Sequence, residues 1–240
     1  MSPLSTRPPS PLRRPLQLPL QRPLPRPFQR AWHRWLAPLL LVVTLLITAA
    51  PPALAAVEEA VFSGGCFWCL EHDLEKLPGV LDAVSGYSGG AQANPTYKQV
   101  SAGGTGHLEA VLVRFDPDRI SYPALLRSFW RNVDPLDGGG QFCDRGASYQ
   151  PAIFVRGDRQ EQQARASQAA AARELKRKPA ELRVPVRPLQ RFWPAESYHQ
   201  NYAERNKAKY SYYRWSCGRD RRLDERWGKA ARSGTPWRSP

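Results

Sequence analysis

Gly64-Gly65-Cys66-Phe67-Trp68-Cys69-Leu70-Glu71 follows the apolar run Ala60-Val61-Phe62. An apolar run, two glycines and then a helical pattern read as strand, tight turn and helix. The pattern predicts a buried strand over 59–63 and a helix over 67–77, stopped by Pro78-Gly79. A thiol at that junction faces the positive end of the helix dipole and unpaired backbone N–H groups. Both favour thiolate, so Cys66 is expected to ionise at about 3.5–7.5 and not near the ordinary ~8.5. Phe67 and Trp68 set apolar surface beside the sulfur, and Cys69, three residues on, brings a second thiol within reach.

Outward from this junction, strand and helix patterns alternate without an internal repeat. Strands are expected over 80–87, 107–115, 152–156 and 182–188, the last at a sheet edge because prolines interrupt it. Helices are expected over 121–133, 158–178 and 195–207. The stretches 88–105 and 134–149 read as Gly-rich loops, the second long enough to be functional or mobile. Few long crossovers follow Val80, which favours a mixed sheet with helices packed against it.

The chain of 240 residues does not all belong to that fold. Residues 1–35 carry seven arginines, nine prolines and no acid, and Leu36 to Ala50 is uninterrupted apolar sequence but for Pro38 and two threonines. With Ala53-Leu54-Ala55 behind it, this pattern reads as a secretory signal over 1–55, cleaved near Ala55. The alternative is an uncleaved anchor, although the apolar run falls short of the roughly 20 residues that span a bilayer. Residues 56–240 then form a single catalytic domain, with a C-terminal tail from about 207. The location implied is exported, periplasmic or an equivalent lumen.

The full chain carries a formal charge of +14, of which seven positive charges lie in the leader. The remaining +7 sits mostly in runs that read as solvated helix faces, which argues against nucleic acid as a partner. Four cysteines, Cys66, Cys69, Cys143 and Cys217, are sparse for a disulfide-stapled scaffold and favour redox chemistry. One Cys-x-x-Cys with two distant cysteines is a poor zinc signature, so no metal is expected. His107-x-Glu109 resembles part of a zinc deaminase signature, but the Cys-x-x-Cys precedes it and lacks the required proline. A thioredoxin-type dithiol is weakened by the tryptophan lying between the cysteines.

Glu109 sits in the strand pattern Leu108-Glu109-Ala110-Val111-Leu112-Val113. Two readings stand: a buried carboxyl whose raised pKa makes it an acid near neutral pH, or an edge-strand glutamate facing water. Tyr87 and Tyr149 each adjoin a Gly-containing turn, where a phenol either projects into a site or packs.

Together these residues resemble the type A peptide methionine sulfoxide reductases. The resemblance rests on 64–71, on Gly86-Tyr87-Ser88-Gly89-Gly90, on Asn94-Pro95-Thr96-Tyr97 and on Gly104-Thr105-Gly106-His107-Leu108-Glu109-Ala110-Val111. It continues through Phe115-Asp116-Pro117, Cys143-Asp144-Arg145-Gly146-Ala147-Ser148-Tyr149 and Ala195-Glu196-Ser197-Tyr198-His199-Gln200-Asn201-Tyr202. Seven motifs in order cover residues 59–217.

The resemblance implies a two-layer α/β sandwich with a ferredoxin-like mixed sheet. It implies Cys66 as the nucleophile on the sulfoxide sulfur and Glu109 as proton donor to the oxygen, with Tyr87 and Tyr149 hydrogen-bonding that oxygen. Phe67 and Trp68 would receive the methyl group, and Asp144 would orient the polar side. Methionine leaves, Cys66 becomes a sulfenic acid, a second cysteine condenses with it, and a thioredoxin-like donor reduces the disulfide. By resemblance the substrate is the S epimer, in oxidised proteins or as free methionine sulfoxide, handled by a monomer without a cofactor. Two departures stand out. Many members carry glycine at the position of Cys69, and Gln150 replaces a basic residue. Cys69 and Cys217 both remain candidates to resolve the sulfenic acid, Cys69 slightly ahead, and the role of Cys143 is open.

Overall fold

The computed structural model describes residues 56–233. The leader expected over 1–55 lies outside the described residues. The chain runs β1 (Glu58–Ser63), α1 (Phe67–Glu75), β2 (Val80–Ser88), α2 (Tyr97–Ala102), β3 (Leu108–Phe115) and α3 (Tyr122–Trp130). It continues through the short hairpin β4 (Gly140–Gln141) and β5 (Asp144–Arg145), then β6 (Ala152–Val155) and α4 (Gly157–Glu174). Two edge strands, β7 (Val186–Pro188) and β8 (Phe192–Pro194), precede α5 (Tyr202–Arg205), α6 (Lys207–Ser216) and α7 (Arg219–Trp227).

Six strands form one sheet in the order β7-β6-β1-β3-β2-β8. The β6–β7 pair is parallel and every other pair in this sheet is antiparallel, so the sheet is mixed as expected. The central strand β3 is buried on both faces, which explains its nearly continuous apolar sequence. On one face Ala60, Phe62, Val111, Val113 and Ile153 pack beneath Leu70 and Leu74 of α1 and Leu125, Leu126 and Phe129 of α3. The rings of Phe62 and Phe129 stack at 4.9 Å. On the other face Val61, Ala110, Leu112 and Phe154 form a second apolar cluster. Each fully buried large apolar side chain contributes about 1.5–3 kcal/mol, which fixes the register that carries Glu109 to the helix-covered face.

Several local expectations are corrected. The loop over 88–105 contains α2, started by Thr96, whose hydroxyl accepts from Gln99 N–H while Gln99 caps in return. The loop over 134–149 folds into the β4–β5 hairpin and a 3₁₀ turn at Ala147–Tyr149. The helix expected over 195–207 is a set of turns ending at Asn201, whose φ of 51° breaks any helix before α5 begins. Its polar side chains Glu196, His199 and Gln200 reach into the protein and hold those turns open. Over residues 207–230 the chain is helical and packed: Leu223 is fully buried and Trp227 Nε1–H donates to Val133 O at 3.0 Å.

Candidate active site

Gly65 turns the chain from β1 into α1 with φ 82°, and a Cβ there would collide with Gln141. The turn delivers Cys66 to the N-cap of α1. Cys66 is only 6% exposed, Cys69 lies one turn on at 1%, both are free thiols in one cluster, and Cys69 N–H donates to Cys66 O at 3.1 Å. Burial, with Cys69, Glu109 and Asp144 close by, pushes the Cys66 thiol well up. The expectation of a lowered pKa is therefore corrected: desolvation outweighs the pull of the helix terminus.

Glu109 resolves to the buried reading. Strand β3 aims its carboxyl under the start of α1, where it is 2% exposed and accepts Phe67 N–H at 3.0 Å. Burial lifts its pKa to about 8, with Asp144 adding to the lift and the Phe67 N–H opposing it. The carboxyl is thus predominantly protonated at neutral pH. It stands among aromatic rings. Phe67 lies 6.0 Å from Tyr87, 6.3 Å from Tyr97 and 4.9 Å from His199, centroid to centroid. Trp68 stacks on Tyr202 at 3.7 Å and donates its indole N–H to His199 Nδ1 at 3.1 Å.

The two phenols expected at the oxygen separate. Tyr149 is held in place by the turn Ala147–Tyr149, and its phenol neighbours that of Tyr97. Burial and the Glu109 carboxyl both push the Tyr97 and Tyr149 phenols up, keeping them protonated as donors. Tyr87 is paired with Glu109 across β2 and β3, but its hydroxyl donates to Glu196 at 2.8 Å. The phenol beside Tyr149 is therefore Tyr97, a member of the Asn94-Pro95-Thr96-Tyr97 motif, where the capping of α2 was the signal for its placement.

Asp144, at the start of β5, lies close enough to Cys66 to act on it electrostatically and accepts the hydroxyl of Tyr213 at 2.6 Å. Its outer side lies 4.0 Å from Cys217 Sγ. Cys217 is joined to Cys143 in a disulfide that closes across 74 residues of sequence. Cys143, whose role the sequence left open, is exposed. Ligand atoms of Cys143, Asp144 and Cys217 lie within 4.8 Å of one another, but the two sulfurs are bonded to each other and offer no thiolate to a metal.

The description peptide methionine sulfoxide reductase matches the chain over residues 58–231. The chain belongs to this family. It is 51% identical to peptide methionine sulfoxide reductase MsrA 2 of Caulobacter vibrioides over 76% of the chain and 93% of that protein. It is 47% identical to the protein of the same name from Rhizobium meliloti, over 77% and 90%. Methionine sulfoxide reductase A of Corynebacterium diphtheriae superposes with a TM-score of 0.60 at 29% identity, covering 65% of this chain and 77% of that one. The reduced form of Mxr1 from Saccharomyces cerevisiae, at 24% identity and TM-score 0.60, shares the fold over 67% and 91%. As a member of the methionine sulfoxide reductase family, the chain is an oxidoreductase that reduces methionine S-sulfoxide with electrons from thiols.

Proposed function

We propose that the reductase works through Cys66, Glu109, Tyr97 and Tyr149, with Phe67 and Trp68 walling the methyl group. The protonated, buried Glu109 between Phe67 N–H and the aromatic rings carries this reading. The sulfoxide oxygen takes a proton from Glu109 and hydrogen bonds from the two phenols. Its sulfur becomes electrophilic and Cys66 attacks it. The S–O bond breaks, the freed hydroxyl bonds to Cys66 Sγ as the new Sγ–S bond breaks and releases the thioether, and the thiol proton restores Glu109. In sum, a thiol and a sulfoxide give a sulfenic acid and a thioether: the substrate sulfur gains two electrons and Cys66 loses two. A dry site strengthens every dipole involved.

The free thiol in contact with Cys66 is Cys69, whereas Cys217 is already bonded to Cys143. Cys69 therefore condenses with the sulfenic acid, releasing water. Asp144 and Tyr213 orient the polar side of Cys66. A thioredoxin-like dithiol returns the electrons, and the substrates are oxidised proteins or free methionine sulfoxide. The finer fold reading is ferredoxin-like, supported by the order β6-β1-β3-β2 with antiparallel neighbours and by α1 and α3 as crossovers. The leader's basic and apolar segments support an exported, periplasmic monomer, or one tethered by an uncleaved leader. Turnover of each sulfoxide epimer with dithiothreitol tests the chemistry. Reduction of the S epimer alone, abolished in Cys66→Ser, is expected; reduction of only the R epimer overturns it.

A further inference from the structure

The segment Ala195–Asn201 gives the proposed mechanism no reacting group, yet it is tied down at three points. Gln200 pairs with both the N–H and the C=O of Ser85 on β2, at 2.9 Å each. Asn201 N–H donates to the buried Glu71 carboxylate at 2.6 Å. Glu196 accepts Tyr97 N–H at 2.8 Å with one oxygen and the Tyr87 hydroxyl with the other. What this strap presents to the site is His199, 2% exposed, with ring centroids 4.4 Å from Tyr97 and 4.9 Å from Phe67.

We propose that His199 is a positioning residue that sets the Trp68 wall of the methyl pocket, and through it the size of the alkyl group accepted on sulfur. This rests on the assignment of Trp68 to that pocket.

An indole has one polar atom, a donor. Stacking on Tyr202 holds the plane of Trp68 but leaves the ring free to slide and turn in that plane. The ring edge also meets Tyr213 at 6.2 Å, and the bond to His199 Nδ1 is the directional contact that fixes the indole N–H end. Accepting at Nδ1 requires the neutral tautomer with its proton on Nε2. Burial favours that neutral form. Nε2 is itself buried and has no partner within the described residues. A phenyl or leucyl side chain would fill the same space without burying a lone N–H. The imidazole is therefore accounted for by its acceptor and not by its volume.

The experiment compares wild type, His199→Phe and His199→Gln. Each is assayed for kcat/KM on the S-sulfoxides of methionine and of its S-ethyl analogue, and for the rate of Cys66 oxidation by hydrogen peroxide, which needs no alkyl pocket. His199→Phe is expected to lower kcat/KM on the methyl substrate about tenfold, the scale of one lost positioning hydrogen bond of ~1.4 kcal/mol. The ethyl substrate should change less than threefold, so discrimination falls, and peroxide oxidation should stay within twofold. His199→Gln, which keeps an acceptor, should recover most of the loss. In a Trp68→Phe background the His199→Phe change should cost nothing further. An equal loss in that background, or a parallel fall of both substrates and of peroxide oxidation, overturns the proposal. The indole N–H resonance of Trp68, assigned by its absence in Trp68→Phe, reads the contact without turnover. It should shift in His199→Phe; no shift overturns the proposal. Failure of wild type to reduce any sulfoxide would overturn the activity assignment separately.

Discussion

The four cysteines form two pairs with opposite surroundings. Cys66 and Cys69 are buried free thiols under the start of α1, hemmed by Glu109 and aromatic rings. Cys143 and Cys217 are a disulfide at the surface, with a cavity of about 270 Å³ beside Cys217 lined by Phe142, Arg221 and Arg222 among others. Asp144 and Tyr213 stand between the pairs. The inner pair sits beside a carboxyl that burial lifts to a pKa of about 8, in a region almost closed to solvent. The outer pair reaches the surface at Cys143, which is exposed, while Cys217 is half-buried. Burial thus separates two free thiols from a disulfide where the sequence shows only four cysteines.

The largest effect should come from breaking the inner pair. Cys66→Ser is expected to lower sulfoxide turnover by at least about 10³-fold, with the outer disulfide still present by mass mapping. Glu109→Gln comes next, at about 10²–10⁴-fold in kcat/KM, the range of a general acid. Its pH signature follows from the sign of the shift. Glu109 holds its proton below about pH 8, so wild-type activity should fall as pH rises through that value. Glu109→Gln should lose that limb, measured as kcat/KM from pH 6 to 10.

Cys69→Ser sharpens the comparison by asking which thiol answers the sulfenic acid. After one equivalent of sulfoxide, wild type should yield a Cys66–Cys69 disulfide, and Cys69→Ser a sulfenic acid trappable by dimedone. A Cys66–Cys217 bond in wild type would instead join the two pairs directly. Removing the outer disulfide through paired serine substitutions should cost about 2–4 kcal/mol of stability, read by denaturant unfolding, while dithiothreitol-driven turnover stays within about threefold. The smallest effect is expected at the boundary. Tyr213→Phe deletes the hydrogen bond to Asp144 and should lower stability by about 1 kcal/mol and turnover by less than tenfold.

Much of this was legible in the chain. The strand–turn–helix at 58–75 follows from an apolar run, two glycines and a helical pattern, all local signals. Glu109 announced itself as an acid in an apolar strand, but whether it faced core or water depended on pairing with β1 and β2. The choice between Tyr87 and Tyr97 was not legible. Both lie near glycine or turn signals, and Glu196, some hundred residues away, takes up the Tyr87 hydroxyl and anchors Tyr97. The expected helix over 195–207 failed because the polar side chains of Glu196, His199 and Gln200 bind distant groups and outweigh local helix propensity.

By itself the sequence determined the strand–turn–helix around Cys66, the mixed sheet with helices packed on it, and the family, since these rest on residue type and short-range spacing. Tertiary structure alone decided the charge states and the pairings. It raised Cys66 and Glu109 through burial, joined Cys143 to Cys217, and set His199 against Trp68. Desolvation and contact depend on what the rest of the chain places around a group, which no local run of residues encodes.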